Sequence, residues 1–276
     1  MPATTLTIVP FEPAHLPEAL TLSQAENWPH RGEDWRMILS LSRGVVALDE
    51  GRVVGTALVT GFGRVGLVNM IIVDHAWRGC GLGRKLVDAA MKATSADEYR
   101  LVATQAGLPL YRKMGFVEIG DIDQHQGVVP PVAVPSADIG WACAADSADL
   151  AALDTGATGM DRKDLVAEIL AQGRIATFFR AGRIIAWAGI RPFGRGLVAG
   201  PVIAPDTNTG KCLLAAVLSD QTGSFVRIDT QTDSGLSAWL ESINLTRVGG
   251  GVSMSTAPRP QTGPNRSLAL AAQALG

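Results

Sequence analysis

Val73-Asp74-His75-Ala76-Trp77-Arg78-Gly79-Cys80-Gly81-Leu82-Gly83-Arg84 leaves a buried apolar run and enters a helical pattern. Gly79, Gly81 and Gly83, at every second position, remove the side chains that would hold a ligand away from the main chain. Successive N–H groups at a helix entry can then point at one anion, and a phosphate or pyrophosphate is the expected guest. A tight strand-to-helix turn without a ligand uses glycine for the same reasons, so the loop alone leaves both readings open. Two familiar phosphate loops do not fit. A dinucleotide site needs Gly-x-Gly-x-x-Gly, but the sixth residue from Gly79 is Arg84, and the loop follows several elements instead of the first strand. A nucleoside-triphosphatase loop needs Gly-Lys followed by Ser or Thr, whereas Gly210-Lys211 is followed by Cys212.

Upstream, Leu6 to Phe11 reads as a strand, and Ala14 to Ala25 and Glu33 to Ser42 carry helical spacing. Val45 to Leu48 and Val53 to Thr60 are β-rich runs joined by Asp49-Glu50-Gly51-Arg52, which suits an antiparallel hairpin, and Val65 to Val73 is a central strand. Downstream, Leu82 to Lys92 reads as a helix with Leu82, Leu86, Val87 and Ala90 on one face, and Arg100 to Thr104 as a buried strand. A short helix through Leu110 to Met114 and a strand from Phe116 to Ile119 close the half. The expected class is α/β (α+β): a mixed, mostly antiparallel sheet flanked by helices.

The pattern then repeats. Gly51-Arg52-Val53-Val54 superposes on Gly182-Arg183-Ile184-Ile185, and Phe62-Gly63-Arg64 on Phe193-Gly194-Arg195, at a common offset of about 131 residues. Gly127, Pro130, Pro131 and Pro135 exclude a helix between the copies. The division expected is a first domain over 1–125, an extended linker over 126–138, a second domain over 139–257 and a tail over 258–276. In the second half Asp161 to Leu170 reads as a helix, Ile175 to Arg180 and Ile184 to Ile190 as a hairpin, Leu197 to Ala204 as a strand, and Leu213 to Leu218 as part of a helix. The glycine loop is not repeated: between Ala204 and Gly210 stand Pro205-Asp206-Thr207-Asn208-Thr209. Pro205 has no N–H to give, and the Asp206 carboxylate would face any bound phosphate. The tail, with its apolar stretch Leu268 to Leu275, reads as a docking helix or a frayed end.

Composition narrows the function. The 276 residues are 47% apolar and 18% charged, which suits one large or two ordinary domains with filled cores and not a disordered chain. A net charge of −2 gives no field toward nucleic acid or anionic lipid, so neither is expected as a partner. Met1 to Thr5 lack a basic leader pattern, Cys80, Cys143 and Cys212 cannot all pair, and no apolar run would span a bilayer. A soluble, cytoplasmic protein is expected, as a monomer or homodimer. No residue cluster has metal-ligand spacing, and no metal is expected.

The loop resembles the acyl-CoA signature of the GNAT superfamily of N-acetyltransferases, Gln/Arg-x-x-Gly-x-Gly/Ala, with Arg78, Gly81 and Gly83 in its three places. Leu110-Tyr111-Arg112-Lys113-Met114-Gly115-Phe116 is similar to the "LYxxxGF" segment that closes this fold, about 30 residues further on in the right order. The resemblance covers most of residues 5 to 121. It implies two tandem GNAT-like domains, the first catalytic and the second degenerate, forming an acyltransferase that moves an acetyl group from acetyl-CoA to a primary amine of a small molecule or amino acid. Attack would be direct, in a ternary complex. A non-catalytic acyl-CoA-binding sensor or interaction protein is the alternative, and binding of CoA by both halves is a further one.

The same resemblance implies the site. Arg78 and the backbone amides of Gly79, Cys80, Gly81, Leu82, Gly83 and Arg84 would hold the CoA pyrophosphate. The strand edge at Ile71, Ile72 and Val73 would pair with the pantetheine amides, and Gln105 would hydrogen-bond them. Tyr111 would give a proton to the departing thiolate; Trp239, at the matching place in the second half, is no acid in the useful range. An alkylamine with a pKa of ~10.4 is mostly protonated at neutral pH, a cost of about 4–5 kcal/mol to direct attack, so a proton acceptor would help. Glu26 and His30 are the candidates, in a segment that borders the acceptor cleft in this fold, with Asp34 as a helix-entry residue. Trp28 would wall the pocket, and Asp161, Arg162 and Trp187 would contact the acceptor from the second half. Solvated-surface or core roles stand as the alternatives for each of these.

Overall fold

The computed structural model describes residues 6–134, 138–260 and 263–276. Met1 to Thr5, on which the expectation about a leader rests, and Pro135 to Ala137 of the expected linker lie outside the described residues.

The first half runs β1 (Thr7–Pro10), α1 (Leu16–Ala25), α2 (Gly32–Leu41), then the antiparallel meander β2 (Ser42–Asp49), β3 (Arg52–Phe62) and β4 (Val65–Val73). Helix α3 (Leu82–Lys92), β5 (Glu98–Ala103), α4 (Leu108–Lys113) and β6 (Val117–Val128) complete it. The second half repeats the order with β7 (Ile139–Trp141), α5 (Ser147–Thr158), α6 (Lys163–Gln172), β8 (Arg174–Arg180), β9 (Arg183–Phe193) and β10 (Gly196–Ala204). It continues with α7 (Thr207–Ser219), β11 (Phe225–Gln231), α8 (Ser237–Ser242) and β12 (Thr246–Ser255), and ends with β13 (Arg266–Ala269).

The described strands form one sheet in the order β1-β2-β3-β4-β5-β12-β6-β11-β13-β10-β9-β8-β7. Its centre is an exchange. β12 of the second half lies beside β5 of the first, from Val252 against Ala103 to Ser255 against Arg100. β6 of the first half lies beside β11 of the second, from Val128 against Phe225 to Ile122 against Gln231. The two exchanged strands pair with each other, so the ladder never breaks between the halves.

Helix α3 covers one face of the first half through Leu82, Leu86, Val87 and Ala90, against Val59, Val68 and Leu101 of the sheet. Helix α7 covers the second half on Leu213, Leu214 and Val217. A third core belongs to both: α1 and α2 meet α5 and α6 around Trp35, Met37, Leu150, Leu165 and Trp187. Each large apolar side chain taken out of water contributes roughly 1.5–3 kcal/mol, so this shared layer joins the halves in addition to the ladder.

Three expectations are corrected. β6 runs to Val128, into the expected linker, until Pro130 and Pro131, which have no N–H to give the ladder. The tail is neither a docking helix nor a frayed end: Arg266–Ala269 is a sheet strand, and Leu268, Ala269 and Leu275 are fully buried. Trp187 and Arg162, expected to touch substrate, are core residues. Trp187 has no exposed surface and gives its indole N–H to the Leu150 carbonyl at 3.2 Å. Arg162 forms a wholly buried ion pair with Asp154 at 2.6 Å and donates to the backbone carbonyls of Leu275 and Gly276.

Candidate active site

β4 and β5 run parallel, paired from Val65 against Glu98 to Leu67 against Arg100, and then diverge. From Val68 to Val73 the β5-side edge of β4 therefore has no strand to pair with among the described residues, and its polar groups are available to an extended ligand. A bulge sits at the start of this edge: Leu58 opposes Asn69, but Thr56 opposes Ile72, which leaves an extra residue in β4. Met70 takes φ +47°, a strained value for a non-glycine residue, and the Thr56 hydroxyl donates to its carbonyl at 2.6 Å.

After β4, Asp74 caps a single turn at His75–Trp77 by accepting the Ala76 N–H at 2.9 Å. Gly79 and Gly81 then adopt φ +78° and +81°, the left-handed region open to glycine, with no atom within 4 Å of where a Cβ would stand. Gly81 leads into α3 with no side-chain cap, so the first-turn amides from Leu82 onward face open space with the positive end of the helix dipole behind them. This cradle fits a diphosphate. Arg78 turns back, giving Nε to the Val73 carbonyl at 2.9 Å and pairing with Glu26. Glu26 also lies 3.0 Å from His75 Nε2. Its carboxylate therefore tethers α1 to the loop and does not line the cleft, which removes the basis for expecting it as the proton acceptor. Gln105 lies exposed in the turn between β5 and α4.

The second half closes both of the corresponding features. β10 and β11 also pair in parallel over a short stretch, Leu197–Val198 with Val226–Arg227, and then open. β13 fills that opening, with Val202 against Ala269 and Ala204 against Arg266 on one side and Thr230 against Ala269 on the other. The entry to α7 is capped by its own carboxylate, Asp206 accepting the Thr209 N–H at 2.8 Å.

A cleft of about 350 Å³ opens where β4 and β5 part. The first half contributes Asn27–His30 between α1 and α2, Val68–Ile71, Val102, Thr104, Tyr111 and Gln124. The second half contributes Phe193, Arg195, Arg227, Gly250 and the tail residues Ala272–Ala274. The approach of the halves is reciprocal. The β9–β10 turn reaches the α1–α2 connection of the first half, where the Gly194 N–H meets Asp34 at 3.0 Å. The β3–β4 turn reaches the matching connection of the second, where the Asp161 N–H meets the Phe62 carbonyl at 3.2 Å. Asp161 is committed there, with Lys163 3.5 Å from its carboxylate, and does not line the cleft.

Tyr111 forms part of the cleft wall. It is nearly buried, its ring packs edge-on against Phe116 at 6.0 Å, and its hydroxyl makes no hydrogen bond with the described residues. Burial pushes its pKa up to about 12, which keeps the phenol protonated as a donor. Trp28 and His30 line the cleft, with ring centroids 5.7 Å apart, and His30 also meets the Phe193 ring edge-on at 5.3 Å. Burial, reinforced by the charge of Arg227, pushes the His30 pKa down to about 4. The imidazole is neutral at pH 7 and a weak proton acceptor, and its Nδ1 has no partner. Asn69 likewise leaves a buried Oδ1 unpartnered while its amide nitrogen holds Thr60 and the Leu67 carbonyl.

Asn69, Gln124, Arg195, Arg227 and the tail did not emerge from the sequence as site residues. Phe193-Gly194-Arg195 carried the repeat signal, but that signal does not say that the turn crosses to the other half. Among the described residues no group of three His, Cys, Asp or Glu side chains could hold a metal, and no helix is long and apolar enough to cross a membrane.

Comparison with known proteins agrees with this architecture. Residues 40–118 and 150–268 each match a model of the acetyltransferase (GNAT) domain. The fold is thus that of an acetyltransferase, built twice. The chain belongs to the GNAT family, with its two domains in tandem. It is 27% identical over 241 residues to an uncharacterized N-acetyltransferase of Bacillus subtilis strain 168, YitH, across 82% of each chain. A crystal structure from Pyrococcus horikoshii, designated an acetyltransferase, shares the fold with a TM-score of 0.81 at 16% identity, over 98% of this chain and 96% of that one. A tandem GNAT protein from the clavulanic acid biosynthesis pathway does so with a TM-score of 0.62 at 14% identity, over 92% and 100%.

Proposed function

We propose that this protein is an acetyl-CoA-dependent N-acetyltransferase whose first domain, 1–125, carries the chemistry and whose second, 139–257, encloses a small-molecule amine acceptor. The carrying observation is the contrast between the halves: an open strand edge and uncapped helix entry at Val68–Arg84, against a filled edge and an Asp206-capped entry in the second copy.

Bound acetyl-CoA supplies an acetyl group activated as a thioester. The amides from Gly79 to Arg84 hold its diphosphate, and the β4 edge at Ile71, Ile72 and Val73 holds its amide-bearing arm. That edge ends at the bulge, where a backbone N–H of β4 polarises the acetyl carbonyl as charge develops on oxygen. The acceptor nitrogen bonds to the acetyl carbon and the carbon–sulfur bond breaks; Tyr111 gives its proton to the departing thiolate, which leaves as the thiol, and is reprotonated by the proton that the nitrogen sheds. His30 borders the amine but is too weak a base to take its proton, so the acceptor enters as its neutral fraction.

Titration calorimetry with acetyl-CoA tests the reading. One equivalent per chain is expected, and Gly81→Ala, which puts a side chain into the cradle at a left-handed φ at a strain of about 1–2 kcal/mol, lowers affinity at least about tenfold. Two equivalents, or binding that the Gly81 change leaves intact, refutes it.

A further inference from the structure

We infer that the acceptor amine also carries an anionic group, a carboxylate or a phosphate, and that Arg195 of the second half receives it. The inference rests on the acetyltransferase reading above and names the substrate class of the same cleft.

Among the described residues the cleft wall holds arginines and no aspartate or glutamate. Arg227 is balanced: Nε and Nη2 both go to Asp229, at 2.9–3.1 Å. Gln273 also donates to Asp229, at 3.1 Å on the Oδ1 that Arg227 shares. Arg195 is not balanced. Its guanidinium lies 5.2 Å from the centre of the Phe225 ring, and it forms no ion pair or hydrogen bond with the described residues. The ring holds the planar cation in place while its five N–H donors stay available.

A second cation stands behind the wall. Arg191 is almost fully buried, reaches the Pro192 and Ala271 carbonyls through long contacts of 3.3 and 3.5 Å, and leaves Nε without a partner. Burial holds its pKa down to about 10, which still leaves it charged at neutral pH. Arg191 and Arg227 flank Phe193 at 5.5 and 5.7 Å, and Phe193 touches His30. A buried cation without a counter-ion in contact is costly, and an anion in the adjoining cleft relieves part of that cost. The same field opposes a polyamine or another acceptor with a second ammonium group, which would find no carboxylate to meet it.

The experiment uses matched pairs with the full chain and saturating acetyl-CoA: amino acids against their α-amides, and phosphoethanolamine against ethanolamine, with release of free thiol as the readout. The charged member of at least one pair is expected to have a kcat/KM at least tenfold higher. Which pair shows it identifies carboxylate or phosphate. Arg195→Ala abolishes the preference by raising KM for the charged member, and Arg195→Lys restores part of it. Equal use of both members, no use of any charged member, or a preference that survives Arg195→Ala overturns the inference. Acetyl-CoA binding, measured in parallel, reads the other end of the site. If it is lost, the transferase reading fails; if it holds and the preference is absent, this inference alone fails.

Discussion

Gly194 gives its backbone N–H to the carboxylate of Asp34 at 3.0 Å, tying a turn of the second half to the first turn of a helix in the first. Asp34 also accepts the Arg31 N–H at 2.8 Å and the Arg31 guanidinium at 2.9 Å. Burial pushes its pKa up, but these donors outweigh it, and the net value lies below the ordinary 3.8. Through this contact Phe193 and Arg195 are held over the cleft.

Asp34→Asn is therefore expected to cost about 1–2 kcal/mol, since it weakens the charge-assisted bonds from the Arg31 and Gly194 N–H groups, while the partly exposed Arg31 guanidinium returns to solvent. The sign with pH follows from the depressed native value. The contribution is complete above the unfolded carboxyl range and is lost as pH falls through the native pKa. Urea denaturation at a series of acidic pH values checks this, because the wild-type advantage over Asp34→Asn shrinks on acidification.

Tyr111→Phe should lower kcat by about 10²-fold, the low end for loss of a positioned acid. Acetyl-CoA affinity should stay within about twofold, since the cradle is elsewhere. Steady-state kinetics with parallel calorimetry decides; an unchanged kcat removes Tyr111 from the chemistry.

The pH profile is expected to belong to the acceptor. His30 titrates at about 4 and Tyr111 at about 12, so neither changes charge near neutral pH. Over roughly pH 6 to 9, log kcat/KM should rise about one unit per pH unit, following the neutral fraction of the amine. His30→Gln should keep that slope while raising KM. An inflection near neutrality that vanishes in His30→Gln contradicts this assignment.

Arg162→Met leaves Asp154 buried and uncompensated, and a loss of about 3–5 kcal/mol is expected in urea denaturation. Adding Asp154→Leu should recover most of it. The pair's work is structural: it anchors Leu275 and Gly276, and with them the tail residues that line the cleft.

Much of the first half was legible in the sequence because its signals are local. The spacing of Leu82, Leu86, Val87 and Ala90 marked α3, and the glycines of the loop marked the cradle. β12 was not read from the sequence, and Gly249-Gly250-Gly251 offers no apolar alternation to mark a strand. In the structure the strand lies so close to β6 that a Cβ on Gly250 would stand 1.8 Å from the Ile122 carbonyl oxygen. Glycine there permits a close approach between distant segments, which no local pattern encodes. Glu26 has the residue type of a proton acceptor, but its meeting with Arg78 depends on how α1 docks on the loop. Arg195 reaches the cleft through the crossing of the halves, a relation of tertiary structure alone.

The exchange of β6 and β12 is the arrangement that two identical subunits would form by lending each other their last strands. In an assembly of two such subunits every substitution appears at both sites, so one cradle cannot be spoiled without the other. Joining the copies in one polypeptide removes that constraint. Asp206 and the strand at Arg266–Ala269 then close the helix entry and strand edge of one copy, while Arg195, eleven residues before Asp206 in that copy, lines the cleft of its neighbour.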